Sequence, residues 1–392
     1  MISSKRFNIS LEINGIFLLV IAGLYLVLYA LEVYDIDLPV NHSTYRAYIF
    51  CIIFFAAVLM LLFRPRIDQV DVLIIFYFFV VVVGQYANGL LTFSKAGNDL
   101  FFPIILFAFR RYFYNMNERR IKKIVTCECL FNVLFFTLFM YAFFSMRLGH
   151  GMFLNSSYYC ALLLPFILCI EKPNLRNMMA LMCLIPSILS LKRGAYLSVI
   201  LGILIFYIAI RKTEEFRENK KKYIWWVLGT VLGVVIIMVI MSWRYHINMI
   251  DRLLAASDDG GSGRIELARG MIGLLQNNDV KGLVIGHGSF TSSKYLDSSS
   301  HNDFLEMLWS YGLLGFLPYI FIVFSFFKTC KKLKSQGSKF YAPALACLVE
   351  FLICSLVSQL VFVPTYVAFL LIFFAFAEAQ SRQCYSQIQE VG

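Results

Sequence analysis

Charged residues are scarce in this 392-residue sequence. Only 15% of its residues are charged, 60% are hydrophobic, and the mean hydropathy is +0.73. Because a soluble domain carries about a quarter charged residues, this composition excludes an ordinary soluble protein and predicts an integral membrane protein. The net charge of +11 does not indicate a nucleic-acid partner, since the Lys and Arg residues cluster between apolar runs.

Cysteine is absent from the one long polar stretch, residues 243–300. The ten cysteines lie in apolar segments or at positions predicted to face the cytoplasm, so a disulfide framework in that stretch is excluded and we interpret the cysteines as packing residues. A small-residue cleavage site is missing after the first apolar run, 13–31, which therefore predicts a transmembrane helix rather than a cleavable signal peptide. Fixed-period repeats and low-complexity tracts are also missing.

Apolar runs of membrane length predict an all-α polytopic fold with about 12 transmembrane helices. The fourth run is short and carries Asp99 and Pro103, and the last two are divided at Val363-Pro364. The predicted spans are 13–33, 46–63, 70–89, 97–111, 123–144, 151–170, 176–191, 194–210, 223–242, 303–327, 341–359 and 361–378. The predicted organisation is nine spans over 1–242, a loop over 243–300, and three spans with a cytoplasmic C-terminus over 301–392.

The basic residues predict the orientation of these spans. With a cytoplasmic N-terminus, 24 of the 35 Lys and Arg residues lie in inside segments and 5 lie in short outside loops, as the positive-inside rule requires. The basic cluster within 110–123 would face outside without the fourth span, so the distribution also favours that weak helix. The loop 243–300 is then extracytoplasmic, together with every histidine: His42, His150, His246, His287 and His301.

Residues 264–276 have the pattern of an amphipathic helix within this loop. Apolar side chains recur at 265, 268, 272 and 275, and we expect the helix to lie on the membrane surface or to cap the bundle. Arg264 in its first turn is opposed by the helix dipole, so helix stability does not explain it. Arg264 either snorkels to the interface or binds a diphosphate through its planar guanidinium.

Lys192 and Arg193 form a very short outside turn between the seventh and eighth spans. Short outside turns normally avoid cations, because cations there oppose insertion in the required orientation. The two side chains either reach lipid headgroups or hold an anionic substrate at the bilayer edge.

His301 lies at the mouth of the tenth span. A histidine that titrates near neutrality suits a general base or a proton-sharing ligand of a phosphate, but His301 beside Asn302 also fits a helix-capping environment. Gly312 and Gly315, one to two turns deeper, are alternatively explained by close helix packing in the membrane.

Acidic residues give weaker predictions. Asp258 and Asp259 form a possible carboxylate ligand pair, but a solvated flexible turn is favoured because no His or Glu follows at ligand spacing. Glu350 is a carboxylate in the eleventh span without an evident partner, and Glu306 is expected to line the same cavity as His301.

Taken together, these residues resemble the O-antigen ligase and O-antigen polymerase superfamily. His301-Asn302, nine residues and Gly312-x-x-Gly315 look like the ligase-type pattern of histidine, then Asn, Ser or Gln, nine residues and Gly-x-x-Gly. The further similarities are Arg193-x-x-x-Leu197, the loop arginine in Ser262-Gly263-Arg264, the glycine-rich turn 282–289 that contains His287, and a short element 151–158 that contains Asn155.

The resemblance implies a GT-C-type glycosyltransferase of the bacterial inner (plasma) membrane that acts on undecaprenyl-diphosphate-linked glycans at the outer face. It implies a metal-independent, inverting reaction without a cofactor, in which Arg193 and Arg264 clamp the donor diphosphate and His301 orients or deprotonates the acceptor hydroxyl. No nucleotide sugar is needed, since the donor arrives activated on its lipid. The expected substrate-binding residues are Lys192, Asn302, Arg269, His287 and Asn155.

Phe316-Leu317 follows Gly315 where the ligase pattern tends to continue with two threonines. This departure favours a polymerase of O-antigen, capsule or exopolysaccharide repeat units over a ligase that transfers glycan to lipid A-core. The expected partners are the lipid-linked donor, a glycan or lipid A-core acceptor, membrane lipids, a chain-length regulator and a flippase, with no nucleic acid. A flippase or transporter is the alternative of another class, but it would carry its cations along a central cavity within the spans.

Overall fold

The computed structural model describes residues 19–28, 31, 42–63, 67–90, 93–114, 118–144, 156–190, 192–211, 213–245, 263–296 and 298–391. Across these ranges the chain forms helices joined by turns, and none of the described residues is in a strand. In chain order the helices are α1 Leu19–Leu28, α2 His42–Phe63, α3 Gln69–Ala87, α4 Phe93–Tyr112, α5 Glu118–Phe144, α6 Ser157–Ala161, α7 Leu164–Ile167, α8 Pro173–Leu189, α9 Arg193–Ile210, α10 Glu214–Tyr245, α11 Arg264–Gln276, α12 Val280–Ile285, α13 Ser293–Leu296, α14 Asp303–Ser335, α15 Tyr341–Val357 and α16 Pro364–Val391.

Four helices within the described ranges are long and apolar enough to cross a membrane: α3, α5, α9 and α14. Shorter apolar stretches occur in α1, α2, α6 to α7, α10 and α15. Large apolar side chains such as Phe55, Phe79 and Phe324 are exposed on the outer faces of these helices, where a soluble protein would place polar groups and a bilayer supplies hydrocarbon. The fold is that of an all-helical membrane protein, and the number of 12 spans stays a prediction.

Several predicted boundaries agree with the structure. The weak fourth span is a helix, α4, with Pro103 inside it. The long apolar run at the C-terminal end is divided, because α15 ends at Val357 and α16 begins at Pro364. The amphipathic segment forms α11 over the predicted residues 264–276.

Two predicted spans are not continuous helices. Within 151–170, the described part forms the short helices α6 and α7, separated by a turn at Leu162 and Leu163. Pro165 lies in the first turn of α7, where a missing backbone N–H is tolerated but a helix cannot pass through unchanged. The predicted span 303–327 extends to Ser335 as α14, and its backbone is broken at Gly312, with φ 57° and ψ −162°.

An ion-pair network centred on the buried Arg110 closes the bundle at the end remote from His301. Its members are the cations Arg110, Arg111 and Arg382 and the anions Asp68, Asp71 and Glu378. Arg110 lies at the centre, with N–O distances of 2.9 Å to Asp71 and 2.8 Å to Glu378. These ion pairs hold the start of α3, the end of α4 and the middle of α16 against one another.

Small residues allow α9 and α15 to pack closely. Gly194, Ser198 and Gly202 recur every four residues on α9, so they share one face of the helix. A Cβ atom at Gly202 would overlap the Glu350 carboxylate of α15, and a Cβ atom at Gly194 would overlap the Tyr158 hydroxyl. This close approach is typical of helix pairs in membranes, and it determines where Arg193, at the start of α9, is held.

Candidate functional site

Lys192 and Arg193 lie where the chain enters α9. Lys192 is the residue before the helix and Arg193 is its first residue, and both are half-buried. The next residue, Gly194, packs against Tyr158 and Ser358, whose hydroxyl oxygens are 2.8 Å apart. The backbone that carries the two cations is therefore fixed by contacts with α6 and the end of α15.

Arg264 is the first residue of α11, and Gly263 before it has a left-handed backbone with φ 74°. The helix contacts α13 and α14, and its buried residue is Met271, whereas Ile265 and Ile272 of the predicted apolar stripe are exposed. α11 thus packs on the bundle through Met271, and Ile265 and Ile272 stay free to contact a membrane surface, so both expected placements of the helix fit the structure.

Arg269 is an exposed residue of the same helix. Five residues after Arg264, it points about 140° away around the helix axis, since each residue of an α-helix turns about 100°. The two arginines therefore do not share a face. The substrate-binding role of Arg269 stays a prediction.

His301 has a left-handed backbone with φ 50°. The neighbouring Asn302 is the N-cap of α14, and its side-chain oxygen accepts hydrogen bonds from the N–H groups of Phe304 and Leu305 at 3.0 and 3.1 Å. The Asn302 side-chain amide donates to the Leu356 carbonyl at 3.4 Å. Asn302 is therefore the residue that caps the helix. His301 is the residue with the strained backbone, and strained backbone conformations are often found at functional sites.

The structure brings Lys192, Arg264 and His301 together. Burial lowers the pKa of His301 below its usual value, and the positive charges of Arg264 and Lys192 lower that pKa further. Burial, and then Arg264, likewise lowers the pKa of Lys192. We call these three residues, together with Arg193, which follows Lys192 in the chain, the cation cluster. It can hold an anionic group while the His301 imidazole remains neutral at pH 7 and able to accept a proton.

Two buried carboxylates lie in the first turn of α14, directly after His301. Asp303 accepts hydrogen bonds from the N–H groups of Leu360 and Val361 at 3.1 Å, which ties α14 to the turn between α15 and α16. Glu306 was expected to line the same cavity as His301, but its side chain is buried with 0% exposure. It is hydrogen-bonded to Ser292 and to the backbone of Ser300, so it lies beside the segment that carries His301 without being exposed, and a cavity shared with His301 stays a prediction.

The glycine-rich turn docks into the break in α14. The N–H of His287 donates to the Trp309 carbonyl at 3.0 Å, and the N–H of Gly288 donates to the Ser310 carbonyl at 2.9 Å. These bonds satisfy carbonyls next to the break, where the helical pattern is interrupted. A Cβ atom at Gly312 would overlap the backbone of Val284, so Gly312 admits the turn rather than a neighbouring transmembrane helix.

A buried polar network lies beneath this turn and was missed by sequence reasoning. Asp99 of α4 accepts hydrogen bonds from Ser289 at 3.0 Å, from Tyr311 at 2.5 Å, and from Gln85. The signal was present, because Gln85 and Asp99 interrupt two apolar runs, and a polar residue in a span must find a partner. The network ties the turn to α3, α4 and α14.

His287 lies against the broken helix. Its ring stacks on Trp309 with a centroid distance of 4.1 Å, and its Nε2 is 2.7 Å from the Asn278 side-chain oxygen. These contacts account for a histidine in the glycine-rich turn, and its substrate-binding role stays a prediction. Asn155, Asp258 and Asp259 lie outside the described residues, and over the described ranges no three His, Cys, Asp or Glu side chains are grouped as metal ligands.

The fold is that of an all-helical membrane protein, and the cation cluster lies at one end of its bundle. Residues 178–320 match the family model described as O-antigen ligase, which confirms the resemblance to the O-antigen polymerase and ligase superfamily. Members of this family are glycosyltransferase-type enzymes, either ligases or polymerases. The matched region contains the whole cation cluster and both glycines of the Gly-x-x-Gly pattern. A comparison with curated proteins gave no match.

Proposed function

We propose that this protein polymerises undecaprenyl-diphosphate-linked oligosaccharide repeat units at the outer face of the bacterial inner membrane, for O-antigen, capsule or exopolysaccharide. The observation that carries the proposal is the cation cluster, in which Lys192 and Arg264 lie close enough to His301 to lower its pKa. The match of residues 178–320 to the O-antigen ligase family supports the same reaction class.

The proposed reaction uses two kinds of group in the cluster. The acceptor hydroxyl oxygen attacks the anomeric carbon of the donor sugar from the face opposite the diphosphate, so the configuration inverts. The bond between that carbon and the diphosphate oxygen breaks, and the electron pair leaves with undecaprenyl diphosphate. Arg193 and Arg264 stabilise the negative charge that develops on this leaving group, while neutral His301 accepts the hydroxyl proton. No step in this scheme requires a metal ion.

The proposed architecture is a GT-C-type fold with 12 spans, both termini in the cytoplasm and the cation cluster outside. The distribution of Lys and Arg along the sequence supports this orientation. A lipid-linked oligosaccharide flippase is the less favoured alternative, because Lys192, Arg193 and Arg264 lie at helix starts at one end of the bundle rather than along a central cavity.

The choice of polymerase over ligase is tested with purified protein and undecaprenyl-diphosphate-linked repeat units alone. A polymerase takes donor and acceptor from one pool, so we expect a ladder of longer lipid-linked chains on a gel. An O-antigen ligase is the second candidate, favoured by the description of the matching family. A ligase would leave the units unchanged until lipid A-core was added. Transfer of units to lipid A-core, with no ladder in its absence, would contradict the polymerase proposal.

The roles within the cluster are tested by single substitutions. Arg193→Ala, Arg264→Ala and His301→Ala should each reduce transfer on the order of 100-fold or more, because each removes a partner of the transition state. Arg264→Lys should stay impaired, since an ammonium lacks the bidentate guanidinium geometry. Activity is measured in the same gel assay, with the protein level in the membrane determined for each variant.

Lys294→Ala is the matched control, because Lys294 is an exposed cation of the same loop, in α13. It should leave transfer unchanged. If Lys294→Ala loses as much activity as Arg264→Ala, the loss reflects the general charge of the loop and not a specific contact between Arg264 and the diphosphate. Strong inhibition by a chelator that a divalent ion reverses would contradict the metal-independent scheme.

A further inference from the structure

The chain is held on both sides of His301. Before His301, the backbone N–H of Ser300 donates a hydrogen bond to the Glu306 carboxylate at 3.3 Å. The Ser300 hydroxyl donates to the Asn302 carbonyl at 3.1 Å and accepts from the Asn302 N–H at 3.3 Å, which closes a tight loop around His301. The left-handed backbone of His301, with φ 50°, is thus supported by hydrogen bonds of both neighbouring residues.

Glu306 makes the connection from this loop to the body of the protein. Its carboxylate accepts from the Ser292 hydroxyl at 2.8 and 2.9 Å, from the Ser300 N–H, and from the Ser310 hydroxyl at a longer 3.5 Å. Ser292, Ser300 and Ser310 are all buried. One carboxylate therefore joins two separate positions of the loop segment, 292 and 300, to α14.

The buried side chain of Glu306 is held by neutral hydrogen-bond donors rather than by a cation. Among the described residues no Lys or Arg side chain forms an ion pair with Glu306, and its hydrogen-bond donors are neutral hydroxyls and a backbone N–H. Glu306 is the fourth residue of α14, where the helix dipole favours negative charge. The hydrogen bonds that Glu306 accepts satisfy oxygens that would otherwise be buried without a partner.

We propose that Glu306 is a positioning residue for the proposed transferase reaction. Through the Ser300 N–H and the Ser292 hydroxyl, it holds the loop so that His301 keeps its left-handed backbone beside Arg264 and Lys192. Glu306 itself is fully buried and does not reach the substrate. This inference rests on the proposed role of His301 as the base.

The test compares Glu306→Ala with Glu306→Gln in the purified full-length protein. A glutamine side chain still has an oxygen that accepts from the Ser300 N–H, and its amide nitrogen can donate to the Ser292 hydroxyl oxygen. Because these hydrogen bonds replace those of the carboxylate, Glu306→Gln should keep kcat within about 3-fold of that of the unmodified protein. Alanine should lower kcat about 100-fold, the effect of a misplaced catalytic group. KM for the lipid-linked donor should change little, because the arginines that bind the diphosphate are untouched.

A double-mutant cycle with His301→Ala separates positioning from general damage. If Glu306 acts through His301, then Glu306→Ala should cause no further loss of residual transfer in the His301→Ala background. Ser310→Ala is the matched control, because it removes only the longest of the Glu306 contacts, and its kcat should match that of the unmodified protein. Thermal unfolding in detergent checks that the variants are folded.

Three results would overturn the positioning role. They are an unchanged kcat in Glu306→Ala, an equal loss in Glu306→Gln and Glu306→Ala, and an additive loss in the His301→Ala background. If Glu306→Ala does not accumulate in the membrane, Ser292→Ala is tested in its place. An intermediate loss of kcat in Ser292→Ala supports the positioning role, and an unchanged kcat overturns it. The proposed function fails separately, when Arg193→Ala, Arg264→Ala and His301→Ala all retain full transfer.

Discussion

His301 combines a strained backbone with a lowered pKa. Its left-handed φ of 50° costs roughly 1–3 kcal/mol for a residue other than glycine. Burial and the charges of Arg264 and Lys192 lower the pKa of its imidazole, which keeps the side chain neutral at pH 7. Both features fit a side chain that must be held in one place and must accept a proton.

The pH dependence of transfer follows from these charges. A general base must be neutral, so kcat should fall as the pH decreases through the lowered pKa of His301. Lys192→Ala removes one positive charge that lowers this pKa, so the pKa should rise and the acidic limb of the kcat profile should move to higher pH. The measurement is kcat against pH at saturating donor.

Lys294→Ala serves as the control for this profile, because Lys294 is exposed and is not among the charges that shift the pKa of His301. Its acidic limb should not move. An acidic limb that also stays in place for Lys192→Ala would show that His301 is not the group whose titration limits kcat.

At the scale of the element, α14 is two helical segments joined at Gly312. The backbone there has φ 57° and ψ −162°, a region that is open almost only to glycine. The break accepts the glycine-rich turn, whose Gly288 N–H bonds the Ser310 carbonyl. The direction of the first segment, which follows His301, can therefore differ from that of the longer segment that continues to Ser335.

Gly312→Ala should destabilise the protein by at least about 1–3 kcal/mol, because alanine is strained at this φ and ψ and its Cβ would also overlap the Val284 backbone. We expect a lower unfolding temperature in detergent and reduced transfer. Gly273→Ala in α11 is the control. Apart from the chain neighbours and the backbone of α11 itself, no described atom lies within 4 Å of a Cβ placed at Gly273, and alanine is favoured over glycine inside a helix. Equal unfolding temperatures for the two variants would contradict the proposed role of the break.

At the scale of the whole molecule, the bundle has two different ends. The cation cluster lies at one end, and the ion pairs around Arg110 close the other. The antiparallel course of α3 and α4 separates them, since Asp68 precedes α3 while Asn88, just after α3, donates to the Gly286 carbonyl at 3.3 Å. Among the described residues, Lys192, Arg264 and His301 lie together at one end, and Arg110 pairs with Asp68, Asp71 and Glu378 at the other.

Single cysteines in a Cys-free background test which end faces outward. With the orientation predicted from the basic residues, cysteines at positions 257 and 299 should react with an impermeant thiol reagent in intact cells, while Ser335→Cys at the end of α14 should react only after permeabilisation. Labelling of the Ser335→Cys variant in intact cells would reverse the orientation and place the cation cluster in the cytoplasm.

Sequence alone determined the helical membrane class, the helix 264–276 and the candidates Arg193, Arg264 and His301, because hydrophobic periodicity, charge placement and short motifs are local properties of the chain. Only the tertiary structure decided that Glu306 is buried behind the loop, that Met271 rather than Ile272 anchors α11, and that Gly312 receives the turn at Gly288. Residues such as Glu306 and Ser292 are 14 positions apart, and Asp99 and Tyr311 are 212 positions apart. Contacts of this kind leave no periodic trace in a sequence, since each partner is chosen by where the folded helices and turns bring it.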